Sequence, residues 1–174
     1  MKTSTKAGLA ILMALTISAC GEKSVKIGNQ VWMAENLNDA SKGGKCYEDK
    51  PENCEKYGRL YTWEEANKAC PSGWHLPNNA EWEALVSFAG GEKTAGRKLK
   101  ARSGWADGGG GTDEYGFSAL PGAYDYWFGN FSNVGSRSSW WSTSSFWIMR
   151  YDNNLVYKPS SDKSALHSVR CVKD

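Results

Sequence analysis

Five cysteines, two histidines and a scatter of carboxylates are the residues of this 174-residue chain that could do chemistry. The histidines are His75, inside GWHLP, and His167. A hydrolase needs a nucleophile beside a base, or two opposed carboxylates. Nothing in the spacing sets either histidine beside a serine or cysteine, and His75 reads as a structural residue among core anchors. Glu64, Glu65, Glu81 and Glu83 fall where helices begin, and unpaired amides there stabilise acids. Asp107, Asp113, Glu114, Asp125 and Asp152 are scattered acids that a fold could gather around calcium, although no DxDxDG loop is present. A structural calcium ion is the single cofactor kept open; otherwise no cofactor, no resident metal and no catalytic residue is expected. The cysteines form no CxxC pair and their spacings are irregular, which argues against zinc. Gly108 to Gly111 lacks the flanking strand, helix and Lys-Ser/Thr of a phosphate loop, and reads as a flexible connection.

The first 20 residues carry an address. Lys2 and Lys6 make a basic start, and Gly8 to Ile17 is an apolar run too short to span a bilayer comfortably. The run closes on Ile17-Ser18-Ala19-Cys20, which resembles a bacterial lipobox, with Cys20 lipidated as the mature N-terminus. An ordinary signal peptide cut after Ala19 is the competing reading. Gly21 follows, not the Asp that commonly retains such proteins at the inner membrane, so the outer membrane or cell surface is the expected destination. The expected organisation is a lipoprotein signal peptide at 1–19, a lipidated tether at 20–24 and one domain at 25–174. Loss of residues 1–19 takes Lys+Arg from 21 to 19 against 19 Asp+Glu, so the formal charge becomes zero. No basic patch remains to argue for a nucleic-acid partner. Export also places Cys46, Cys54, Cys70 and Cys171 in an oxidising compartment, where an even count reads as two disulfides with three pairings open.

The elements that must position these groups centre on residues 61–89. Thr62 with Glu65, and Asn78 with Glu81, are capping-box pairs that start two short helices. The first runs from Trp63 to about Cys70 and stops at Pro71. On the second, Trp82, Leu85, Val86 and Ala89 make one apolar stripe, and Gly90-Gly91 ends it. Trp74 and Leu76, in the corner between them, should anchor in the core. Val25 to Met33 reads as a hairpin turning at Gly28-Asn29, followed by a connector at 34–38 and a polar loop at 41–56. Thr94 to Ala101 is a third short helix with a solvated Lys/Arg face, Trp105 returns to the core, and 115–120 reads as a strand. From Ala123 to Ser145 the chain reads as an aromatic loop. Phe146 to Asp152 and Leu155 to Lys158 are paired strands joined at Asn153-Asn154, and Leu166 to Val172 is the final strand.

GWHLPNNAEWEAL at 73–85 resembles the GWHLPTxAEW signature of the Fibrobacter succinogenes major paralogous domain, with Asn78 in place of Thr. KIGNQVWMAENLN at 26–38, YGRLYTWEEA at 57–66, GFSALPGAY at 116–124 and SVRCVKD at 168–174 match the same family. The central stretch is more distantly similar to the RLPTEAEWE segment of formylglycine-generating-enzyme-like proteins. The resemblance implies an α+β, C-type-lectin-like fold: two main short helices on small antiparallel sheets, terminal strands close together, and long irregular loops. Among the three pairings, Cys46–Cys54 as a local staple and Cys70–Cys171 are favoured. The latter matches the long-range bridge that lectin-like folds use to close their ends. The catalytic cysteine pair of the formylglycine-generating relatives has no counterpart near the C-terminus, and the sugar motifs of calcium-dependent lectins are absent.

Function is therefore expected to be non-catalytic recognition or adhesion at a bacterial surface, with a membrane anchor on Cys20 and a polysaccharide or protein ligand. Nine Trp and eight Tyr are a heavy load for one domain. Residues 124–154 mix Tyr and Trp with Ser, Gly and Asn, the composition of a binding surface. Tyr124, Tyr126, Trp127, Phe131, Arg137, Trp141 and Trp147 are the candidate ligand contacts, with Asn130 and Asn153 as polar ones. A formylglycine-generating-type oxidoreductase and a structural envelope component are the alternatives.

Overall fold

A β-hairpin begins the fold because a two-residue loop suits the twist of its strands. β1 (Ser24–Ile27) pairs antiparallel with β2 (Gln30–Met33), Ile27 opposite Gln30, and Gly28 takes a φ of 60° in the loop. The structure, a computed structural model, describes residues 22–122, 124–125, 131–132, 134–159 and 163–174, with 124–125 and 131–132 described by their backbone. The expected signal peptide and Cys20 lie outside the described residues.

Helix α1 (Pro51–Tyr57) occupies part of what reads as a polar loop. Proline at the first helical position is already set to helical φ, and Glu52 and Lys56 complement the two ends. Seven residues are too few for a periodic signal, and only Cys54 and Tyr57 turn inward. After β3 (Leu60–Tyr61), α2 (Trp63–Ala69) starts on the Thr62–Glu65 capping box. Beyond β4 (Trp74–His75), α3 (Asn79–Phe88) starts on the Asn78–Glu81 box. Both boxes close in both directions, and Trp82, Leu85, Val86 and Ala89 are buried as the stripe requires. Leu76 is buried and Trp74 half-buried in the corner.

Helix α4 (Ala95–Leu99) follows, but its basic face is not all solvated. Lys100 is 1% exposed, donates to the carbonyls of Arg150 (3.1 Å) and Asn153 (2.9 Å), and lies 5.2 Å from the Trp105 ring centre. Burial depresses its pKa, with Asp152 offsetting part of the shift. The glycine run is packed rather than loose. A Cβ on Gly109 would lie 2.2 Å from the Tyr151 carbonyl oxygen, and one on Gly111 would lie 2.3 Å from that of Arg97. Glycine is there because two backbones meet. Residues 115–120 do not form a strand. Ser118 has a φ of 48°, held by Asp113 accepting from its N–H (2.7 Å) and hydroxyl (2.5 Å), and only a bridge between Lys100 and Ala119 remains.

The C-terminal half supplies β5 (Tyr124–Asp125), β6 (Phe131–Ser132), β7 (Arg137–Trp141), β8 (Phe146–Arg150), β9 (Val156–Tyr157), β10 (His167–Ser168) and β11 (Val172–Lys173). β7 falls inside the stretch whose Gly, Ser and Asn among aromatics read as a loop, and its serines are buried with its tryptophans. The strand is buried on both faces, so no alternation is needed. One sheet has the order β1-β2-β11-β4, a second β3-β10-β7-β8-β9, and β5-β6 stand as a separate pair. The expected single final strand is divided: β10 lies parallel to β7 in the second sheet, and β11 sits between β2 and β4 in the first. This is a small α+β fold.

Trp82 lies between the sheets. Its ring meets Trp32 edge-on at 5.0 Å, stacks on Trp147 at 5.8 Å, and touches Phe117 and Trp140 at 6.0 and 6.1 Å. A second cluster gathers Met33, Tyr61, Leu76, Trp141, Phe146, Ile148 and Val169. Cys46 is bonded to Cys54, and Cys70 to Cys171 across 101 residues. Chain entropy assigns the long bridge about 4–5 kcal/mol and the short one about 2–3 kcal/mol. Replacing Cys70 and Cys171 together by Ala should therefore lower unfolding free energy more than the same change at Cys46 and Cys54. Equal losses in urea titration would contradict this ordering.

Candidate functional site

The structure divides the expected ligand contacts. Tyr124 and Phe131 lie on the separate ladder, where Tyr124 pairs with Ser132 and Asp125 with Phe131. Tyr126, Trp127 and Asn130 fall outside the described residues. Arg137 is half-buried at the start of β7, opposite Arg150. Trp141 and Trp147 are corrected from site to core, at 0% and 2% exposure. Their strands are interior to the second sheet and covered on both faces, so large rings there fill space between layers. Trp141 donates from Nε1 to the Tyr61 carbonyl at 2.7 Å. Asn153 lies in the expected turn between β8 and β9, where its Oδ1 accepts from the Leu155 N–H (2.9 Å) and its amide donates to Asp152 Oδ1 (2.8 Å).

Sequence reasoning passed over Asn36 and Arg170, which the fold brings together. The 34–38 connector runs beside the final segment, where Leu37 N–H donates to the Val169 carbonyl at 2.9 Å. That places the Asn36 side chain over the crossing between the sheets. Asn36 Oδ1 accepts from Trp140 Nε1 (2.8 Å), Arg170 Nε (3.0 Å) and Arg170 Nη2 (2.7 Å). Its Nδ2 donates to the Tyr57 carbonyl (2.8 Å) and to Ser168 Oγ (3.4 Å). Arg170 Nη1 donates to the Phe117 carbonyl, and the guanidinium carbon lies 4.3 Å from the Phe117 ring centre. Arg170 is 1% exposed, and burial pulls its pKa down to about 9, with Asp113 and Glu35 offsetting part of the shift. A cavity of about 610 Å³ opens beside this network. Its lining includes Lys23, Glu35, Asn36, Lys56, Ser118 and Arg170.

Both histidines find partners that sequence spacing concealed. Ser139 Oγ lies 2.7 Å from His167 Nδ1, although 28 residues separate them. The two are 0% and 1% exposed, and Trp141 and Phe146 pack on the imidazole at 4.3 and 4.2 Å. The pair is walled in by aromatic rings and braces β7 against β10. His75 bridges Glu81 Oε1 and Asp174 Oδ1, each at 2.7 Å from a ring nitrogen. Two carboxylates on one imidazole require both nitrogens to donate, which favours the protonated ring. Burial opposes that charge, but the two carboxylates outweigh it and raise the pKa above 6.5. Among the described residues no three of His, Cys, Asp and Glu converge as a metal group, and no helix is long and apolar enough to cross a membrane.

Two outcomes follow from these contacts. Asn36→Ala would strip two donors of the buried guanidinium of their acceptor, costing about 2–4 kcal/mol in urea unfolding. A loss typical of an exposed asparagine would contradict the hub. For His75, a raised folded pKa means the stabilisation is complete below the unfolded value of 6.5 and fades as pH rises through the folded one. The melting temperature of the wild type should fall more across that window than that of His75→Gln. Parallel profiles would remove the contribution.

No curated protein and no solved structure matches the chain. The family model of the Fibrobacter succinogenes major domain matches residues 25–173. That match spans the hairpin, both capped helices, both sheets and the Asn36–Arg170 network, and the chain belongs to the Fibrobacter succinogenes major domain family.

Proposed function

We propose that this chain is a lipid-anchored, non-catalytic recognition protein of a bacterial envelope, held by Cys20 and binding a polysaccharide or protein ligand through the aromatic segment at 124–132. The observation that carries this is the separate β5–β6 ladder. Its two strands, Tyr124–Asp125 and Phe131–Ser132, are hydrogen-bonded to each other and to neither of the two sheets whose tryptophans are used in packing. Tyr, Trp, Asn and Ser in one short segment combine rigid contact area with adaptable hydrogen bonds. The contact set is then Tyr124, Tyr126, Trp127, Asn130 and Phe131, with Arg137 nearby in sequence. The bonding of Cys46, Cys54, Cys70 and Cys171 in two bridges supports a non-catalytic reading, since none of these four offers a thiol for cysteine-based oxidation. We also assign the fold to the C-type-lectin-like kind, on the long Cys70–Cys171 bridge and the adjacency of β2 and β11.

The test joins the two halves of the proposal. Fatty-acid labelling of the expressed chain should mark the wild type and not Cys20→Ala. A glycan array and whole-cell binding assay should show at least a tenfold loss for Tyr126→Ala with Trp127→Ala, at unchanged melting temperature. Undiminished binding in the double variant would remove the aromatic segment from the site. Label retained by Cys20→Ala would remove the anchor.

A further inference from the structure

We infer that the cavity bounded by the 34–38 connector, α1 and residues 116–120 is a binding site for the carboxylate of a small hydroxylated acid, with Arg170 as its cationic receptor. This goes beyond the aromatic segment and does not rest on it. The argument starts from an imbalance of charge. A buried guanidinium normally has a carboxylate beside it, because an uncompensated charge in a low dielectric is costly. Arg170 has none within ion-pair distance among the described residues. Its acceptors are the Asn36 amide oxygen and the Phe117 carbonyl, both neutral, and its remaining neighbour is an aromatic ring. Asp113, the nearest acid in electrostatic effect, is turned to the Ser118 N–H and hydroxyl.

The guanidinium also has unused capacity. Three of its N–H groups are directed by those bonds, and a guanidinium carries five, fixed in a planar fork that matches a carboxylate. The space beside it is large enough for a ligand: the cavity measures about 610 Å³, within the range of small-molecule sites. Burial already holds the guanidinium below its ordinary pKa, and a bound anion would restore it.

The rim decides the class of anion. Lys23 and Lys56 are matched there by Glu35 and Glu55, and Lys23 is paired with Glu35 at 2.8 Å. The net positive charge of the lining therefore comes from Arg170 alone. A single negative charge satisfies it, whereas a doubly charged phosphate would meet two rim carboxylates with no cation left over. Asn38, Ser118, Glu35 and Glu55 are groups that hydrogen-bond hydroxyls. A sugar acid combines the two requirements, either free or as a residue of an acidic polysaccharide.

Calorimetric titration of the full-length chain in detergent tests this, with D-glucuronate, an oligogalacturonate, D-glucose and inorganic phosphate as probes. Glucuronate should bind, with glucose at least tenfold weaker and phosphate weaker than glucuronate. A gain in affinity for the oligomer assigns the polysaccharide source, and equal affinity per residue assigns the free acid. Arg170→Lys keeps the charge but loses the fork, and should weaken glucuronate about tenfold. If that variant does not fold, Leu120→Trp supplies the decision: it obstructs the cavity lining and should abolish binding at an unchanged melting temperature. Tyr126→Ala with Trp127→Ala should leave glucuronate affinity intact, which separates this site from the aromatic one. Glucose binding as tightly as glucuronate, phosphate binding more tightly, no heat with glucuronate at millimolar concentration, or glucuronate binding that survives Leu120→Trp would each overturn the assignment.

Discussion

Packing of tryptophan on tryptophan is the constraint on which this domain depends. Its sheets are short and its longest described helix has ten residues, so aliphatic ladders alone would leave the space between layers poorly filled. Large rings solve that problem, since each buries a wide area and meets its neighbours edge-on or stacked. Trp82 from α3 touches Trp32 of the first sheet and Trp140 and Trp147 of the second. One helix side chain therefore sets the separation of both sheets. This use of tryptophan commits Trp141 and Trp147 to filling the space between layers.

Local signals are legible in the sequence where a capping pair, a tight turn or an apolar stripe determines the outcome, although the short α1 escapes them. The two capping boxes, the hairpin loop, the 82–89 stripe and the β8–β9 turn all depend on residues within one turn of helix or one hairpin. The structure departs from the sequence pattern where tertiary contact overrides it. β7 has no alternation because both of its faces are covered, Ser118 bends the expected 115–120 strand, and the glycine run is shaped by the carbonyls pressed against it. The division of the final strand is likewise invisible locally, since nothing in Leu166 to Val172 marks where one sheet is left and the other joined.

The polar interior was least legible of all. Asn36 and Arg170 are 134 residues apart, and neither has a neighbour in sequence that hints at burial. Asparagine in a connector reads as solvent-facing, and arginine in a terminal strand reads as its exposed side. Only the crossing of the chain between sheets puts them together, and the same crossing pairs Ser139 with His167.

β11 fills the slot between β2 and β4, and it consists of Val172 and Lys173. A ribosome delivers β2 and β4 long before it delivers these residues. Until then the first sheet is two separated halves, with the edge of β2 beside Trp32 unoccupied and Cys70 without its mate. Native closure must therefore await the last few residues of the described chain. Closing the first sheet therefore rests on pairings between residues about 100 or more apart in sequence, which makes the domain a poor candidate for folding from the front.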